Sequence, residues 1–120
     1  MRILFDQGTP LPLRAWLPAH QVETVRQRGW SELLNGELLT AAEAAGFDLF
    51  ITTDQNLRHQ LDLSRFGIAV MVLNIANWPM VEPHAATVAA LVNRMHRGEY
   101  AEWSPPSRHV QETRQRRAPA

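Results

Sequence analysis

The stretch Ile68-Ala69-Val70-Met71-Val72-Leu73-Asn74-Ile75 decides the fold of this chain. A strand with one wet face alternates polar and apolar residues, and an amphipathic helix repeats every three or four. This run does neither, because only Asn74 interrupts it. A near-continuous apolar run of strand length suits a central parallel strand covered on both faces. Working outward, Phe47–Thr52 has the same character, and Arg2–Phe5 is a shorter run closed by the turn cluster Asp6-Gln7-Gly8-Thr9-Pro10. His20–Val25 alternates at Val22 and Val25 and reads as a weaker strand. The sequence therefore predicts about four strands.

Helical patterns fill the gaps. Thr9 and Pro10 make a helix start, a capping hydroxyl followed by a residue with no N–H to satisfy. That helix carries Leu11, Leu13, Ala15, Trp16 and Leu17 and stops near Pro18. Arg26–Leu34 reads as a loop or single turn. Asn35-Gly36 opens a stronger helix in which Leu38, Ala41, Ala42 and Ala45 form one stripe and Gly46 serves as the C′ residue. A short helix follows at Asn56–Leu61. After Trp78-Pro79, a last helix places Val88, Leu91, Val92 and Met95 on one face and ends at Gly98. Strands alternating with helices predict an α/β fold with a parallel sheet and right-handed crossovers. In such a sheet ligands sit beyond the carboxyl ends of the strands.

The 120 residues suffice for one core, so residues 1–103 read as a single domain. Residues 104–120 are different: they hold Pro105, Pro106 and Pro119 and four arginines (Arg108, Arg114, Arg116, Arg117) against one acid, Glu112, and read as a basic, poorly ordered tail. Twelve cationic residues balance twelve acidic ones, and all twelve cations are arginine. The absence of lysine excludes Schiff-base chemistry and the P-loop phosphate cradle. The absence of cysteine excludes disulfides, thiol nucleophiles and thiolate zinc sites. No apolar run approaches the ~20 residues of a membrane span, and the N-terminus has no cleavable leader pattern. A cytoplasmic domain with no membrane association is the expectation.

Three acids fall where a parallel sheet would gather them. Asp6 ends the first strand, Asp54 lies just past the third, and Glu37 sits in the first turn of the Asn35-Gly36 helix. Asn56 adds an amide beside Asp54. Carboxylates brought together repel one another unless a cation offsets them. Hard divalent ions such as Mg²⁺ or Mn²⁺ take oxygen ligands and keep waters. The set is thus compatible with metal-assisted phosphodiester hydrolysis. Each acid also has a purely structural use: Asp6 can bond its own turn, Glu37 gains ~0.3–1 kcal/mol from the helix dipole, and Asp54 can cap a helix for ~1 kcal/mol. The histidines (His20, His59, His84, His96, His109) show no paired-ligand spacing. The tryptophans (Trp16, Trp30, Trp78, Trp103) suit stacking on bases or, more commonly, core and interface packing. Trp78, just past the central strand, lies nearest the expected functional edge.

Three segments in order, Ile3-Leu4-Phe5-Asp6-Gln7-Gly8-Thr9-Pro10, Leu34-Asn35-Gly36-Glu37-Leu38-Leu39 and Leu49-Phe50-Ile51-Thr52-Thr53-Asp54-Gln55-Asn56-Leu57, resemble the DUF5615 group of small bacterial PIN-like proteins, relatives of PIN-domain ribonucleases and VapC-type toxins. Ile68–Pro79, a strand followed by Asn-Trp-Pro, fits a subgroup of them. The resemblance spans residues 1 to about 100. It implies a three-layer α/β/α fold and an acidic pocket that uses Mg²⁺ or Mn²⁺ to hydrolyse single-stranded RNA. Residue by residue it makes Asp6, Glu37 and Asp54 metal ligands, with Thr53 and Asn56 as further catalytic positions orienting water or substrate. Asn56 stands where many PIN nucleases have a fourth acid, and Gln7 where the wider group often has one. An amide binds metal less strongly and cannot act as a base. The partners implied are an RNA substrate, a small antitoxin protein and a second copy of the chain.

Two other readings compete. One is a PIN-like fold that has lost catalysis and serves as a binding module, which the missing fourth carboxylate favours. The other is a haloacid-dehalogenase-type phosphatase, because Asp6-Gln7-Gly8-Thr9-Pro10 partly echoes an Asp-x-Asp-Gly-Thr loop. Position 8 is glycine where that loop needs its second acid, and the chain has no lysine to complete the chemistry.

Overall fold

The computed structural model describes residues 1–106. Its sheet has five strands: β1 (Arg2–Phe5), β2 (Gln21–Thr24), β3 (Leu49–Thr52), β4 (Ala69–Leu73) and β5 (Tyr100–Trp103). All pair in parallel, in the order β2-β1-β3-β4-β5. The helices are α1 (Asn35–Ala44), α2 (Leu57–Gln60), α3 (Trp78–Val81) and α4 (Ala85–Asn93), with 3-10 turns at Leu11–Trp16, Leu63–Arg65 and Glu82–His84.

All five residues of β4 and all four of β3 are buried, as an apolar run covered on both faces requires. Alternate residues supply two cores. Ile3, Phe5, Leu49, Ile51, Ala69, Met71 and Leu73 point to one face, where Leu13 and Leu17 pack near the first 3-10 turn and Val88, Ala89 and Val92 pack from α4. Leu4, Phe50, Val70 and Val72 point to the other, against Leu38, Leu39 and Ala42 of α1 and Leu57 of α2. The result is three layers, α/β/α. Each fully buried Leu, Ile or Phe contributes roughly 1.5–3 kcal/mol of transfer free energy.

Several expectations need correction. The sheet has five strands, not four. The added β5 faces Tyr100 toward the α1 core and Ala101 and Trp103 toward the α4 core, and of its four residues only Trp103 is buried. The segment after Thr9 is a 3-10 helix, with Leu13 N–H bonded to Pro10 O at 3.1 Å, because Pro10 and Pro12 cannot donate into an α-helical ladder. Thr9 does not cap it: its buried hydroxyl donates to Ile51 O at 2.8 Å. α4 ends at Asn93 rather than Gly98. Gly98 takes φ +84° in the turn leading to β5. Gly46, at φ +87°, does follow α1 as its left-handed terminator.

The crossovers do not share one hand. β1→β2 runs over the face of the first 3-10 turn, while β2→β3 and β3→β4 move the opposite way over the opposite face, so these three agree. β4→β5 continues in the direction of the second and third, yet its helix α4 lies on the first face. Its hand is therefore opposite to theirs, so the four connections do not all follow the usual right-handed rule. α1 and α2 already cover β3 and β4 on their side. The short 3-10 turn leaves Ala69, Met71 and Leu73 uncovered on the other, and α4 fills that space. The expected Ser104–Ala120 tail lies outside the described residues except for Ser104, Pro105 and Pro106.

Candidate active site at the carboxyl edge of the sheet

The strand order reverses between β1 and β3, and ligands of open parallel sheets bind at such a reversal. Register pairs Phe5 with Ile51, so the next residues, Asp6 and Thr52, leave the sheet side by side. Thr52 is fully buried, and its hydroxyl donates to Asp6 Oδ2 at 2.7 Å. The Thr52 hydroxyl oxygen in turn accepts the Asp54 N–H at 3.1 Å. One threonine thus ties the two predicted acids to a common anchor.

Each acid also serves its own turn, Asp6 as anticipated, whereas Asp54 bonds the turn ahead of α2 instead of capping that helix, whose N-cap position is Asn56. Asp6 Oδ1 accepts from Gln7 N–H at 2.9 Å, and Asp54 Oδ1 accepts from Asn56 N–H at 3.0 Å. Asp54 Oδ2 is reached by the side-chain amide of Asn35, at 3.3 Å, which also donates to Gln60 Oε1 at 3.0 Å. Every carboxylate oxygen therefore has one neutral donor and a lone pair to spare. The ion pairs among the described residues use Glu23, Asp48, Asp62 and Glu102, and none uses Asp6, Glu37 or Asp54.

Glu37 is placed differently. Its Oε1 accepts the Leu34 N–H at 3.1 Å, closing the first turn of α1, and its side chain borders a groove with Leu33, Thr40 and Phe66. The residue of α1 that touches Asp54 is Asn35. Among the described residues no three His, Asp or Glu side chains lie together as one metal-binding group, so the expected triad of Asp6, Glu37 and Asp54 is not assembled in this arrangement. Magnesium-class ions are often held by one or two carboxylates with waters and substrate oxygens completing the shell, so Asp6 and Asp54 remain a suitable pair.

Thr53 is half-buried and faces Gly8 so closely that a Cβ on Gly8 would stand 2.4 Å from Thr53 Oγ1. Asn56 precedes α2 with an exposed side chain that makes no capping bond. Trp30 packs edge-on against Phe47, and Trp103 is buried beside His84. Trp78 is half-buried against the α4-side core, which leaves Trp16 the most exposed of the four. A cleft of about 470 Å³ opens beside Asp6, lined by Gln7, Thr9, Leu11, Thr24, Arg26 and Ser31. Sequence reasoning missed Thr52, Asn35 and Arg26. Thr52 could have been found as the one polar residue of β3, set directly opposite Asp6 by register.

Comparison with protein families, curated proteins and solved structures finds no match to this chain.

Proposed function

We propose that this chain is a metal-dependent endoribonuclease of the PIN-like kind, hydrolysing phosphodiester bonds of single-stranded RNA with Mg²⁺ or Mn²⁺ held by Asp6 and Asp54. The observation that carries the reading is the Thr52 anchor. It fixes the carboxylate of Asp6 and the backbone of Asp54, two acids unpaired with any arginine among the described residues, at the reversal point of a parallel sheet. The resemblance of the segments around Asp6, Asn35 and Asp54 to PIN-like proteins, read from the sequence, also favours it.

Held by Asp6 and Asp54, a divalent ion would supply acidification of water and charge neutralisation at the phosphate. The chain's own residues do the rest. Thr52 holds Asp6 in one orientation, and the Asn35 amide does the same for Asp54. Thr53 and Asn56 stand at the rim to orient water or substrate. Glu37 can join the pair only by releasing Leu34 N–H. In this proposal the RNA-cleaving domain is a toxin, its pocket covered by a small antitoxin until needed, and two copies associate.

The test is cleavage of an end-labelled single-stranded RNA with Mn²⁺, with and without chelator, beside Asp6→Asn and Asp54→Asn. Metal-dependent cleavage lost in both variants supports the reading, and equal cleavage by the variants identifies a contaminant. A second reading, a non-catalytic binding module, is favoured by the neutral donor on every carboxylate oxygen and by Glu37's commitment to α1. It predicts neither cleavage nor stabilisation by metal.

A further inference from the structure

The cleft beside Asp6 combines opposite charges in a space suited to one nucleotide. Its volume of about 470 Å³ is within the usual range for a small-ligand site. Asp6 borders it at the end of β1, and Arg26, two residues beyond β2, borders it as well. The ion pairs among the described residues are made by Arg2, Arg28, Arg58, Arg65 and Arg97, and Arg26 is in none of them. Its neighbours in sequence are tied down. Arg28 pairs with Glu23 and stacks over Trp30, and Thr24 and Gln27 exchange two hydrogen bonds that close the turn carrying Arg26. Arg26 therefore borders, from a fixed turn, a cleft whose lining holds no acid besides Asp6.

An anion entering this cleft meets one attractive and one repulsive charge, so its phosphate must seat on the Arg26 side. A guanidinium binds phosphate oxygens in a two-pronged geometry that other cations cannot match. We infer that Arg26 grips a phosphate of the nucleic-acid strand adjacent to the bond cut at Asp6, so that the cleft sets which stretch of strand is presented. The inference rests on the proposed nuclease reading for its substrate. It adds a strand-binding residue that the three-acid pattern does not contain.

The experiment measures binding of a short fluorescent single-stranded RNA by anisotropy in chelator, where no metal-dependent cleavage occurs, across a salt series. Arg26→Ala should weaken binding by about tenfold or more, as expected for loss of a charge-assisted contact. It should also reduce the log–log salt slope by about 0.7, the contribution of one neutralised phosphate on a single strand. Arg26→Lys should retain the salt slope while losing part of the affinity. Arg14→Ala, an exposed arginine that does not border the cleft, should match the wild type. Unchanged affinity and slope in Arg26→Ala overturn the inference, as does a wild-type chain that does not bind RNA. Cleavage with Mn²⁺ is scored separately. A chain that binds through Arg26 but never cleaves sinks the nuclease reading and leaves the strand-binding residue standing.

Discussion

The Thr52 hydroxyl donates to Asp6 Oδ2 at 2.7 Å, joining residues 46 apart in sequence at the ends of adjacent strands. The group is fully buried and also accepts from Asp54 N–H, so deleting it strands a donor and an acceptor together. Thr52→Val keeps the shape and removes the oxygen. We expect a loss of ~1–3 kcal/mol in unfolding free energy and a larger proportional loss of cleavage, because Asp6 is no longer oriented. Thr52→Ser should recover most of both. Chemical denaturation and the RNA assay check this, and an unchanged midpoint in Thr52→Val would show that the bond carries no weight.

On the proposed reading, metal should stabilise the fold. With Mn²⁺ at about a hundred times its Kd, mass action adds ~2.7 kcal/mol, read as a rise in Tm. Asp6→Asn should abolish that rise. Glu37→Gln should retain it, because the amide oxygen can still accept the Leu34 N–H. A Glu37→Gln protein blind to Mn²⁺ would mean that the carboxylate leaves α1 to bind the ion.

Gly8 and Thr53 test the close approach at the rim. A methyl group at position 8 would meet Thr53 Oγ1 at 2.4 Å, so Gly8→Ala forces the threonine from its rotamer. We expect destabilisation of roughly 1–3 kcal/mol, the usual range for overpacking. In a double-mutant cycle Thr53→Ala should relieve most of it. Simple additivity would place the strain elsewhere.

Tyr100, the chain's single tyrosine, gives a clean pH signal. Burial, and then its hydrogen bond to Glu102, push the phenol from 10.0 up to about 12. Below pH 10 it is neutral in both folded and unfolded chains, and its contribution to stability is complete. Between pH 10 and about 12 the unfolded chain ionises first, so stability falls. Ultraviolet absorbance should show phenolate forming near pH 12 in the native protein, and nearer 10 in urea. Glu102→Gln should lower the native value, and an unshifted one would remove the bond to Glu102.

The parts legible in sequence were those whose signal is local. β1, β3 and β4 announce themselves by unbroken apolar runs, and α1 by its stripe and Gly46. β5 did not, because only Trp103 of its four residues is buried and the strand exists through pairing with β4. The 3-10 turn was masked by prolines that serve equally well to start an α-helix. The reversed crossover depends on which face has room, a fact no single segment contains. Asp6 and Asp54 could be placed from strand ends. Glu37 could not, since a glutamate in a first helical turn can face a site or fold back on its own helix, and only packing decides. Asn35, which does reach Asp54, reads in sequence as an ordinary helix opener.

The reversed path of the last connection has a consequence for how this protein can vary. Asp6, Arg26, Asn35, Thr52, Asp54 and Gln60 all lie in the first half of the chain, whereas α3, α4 and β5 belong to the second. The later half acts as a buttress, pressed on the sheet from a side that Asn35 and α1 do not occupy. Changes there can accumulate so long as the apolar fit survives, leaving the candidate rim untouched. Grafting a foreign α4–β5 segment of matching shape is therefore a route to altering robustness while keeping the candidate site.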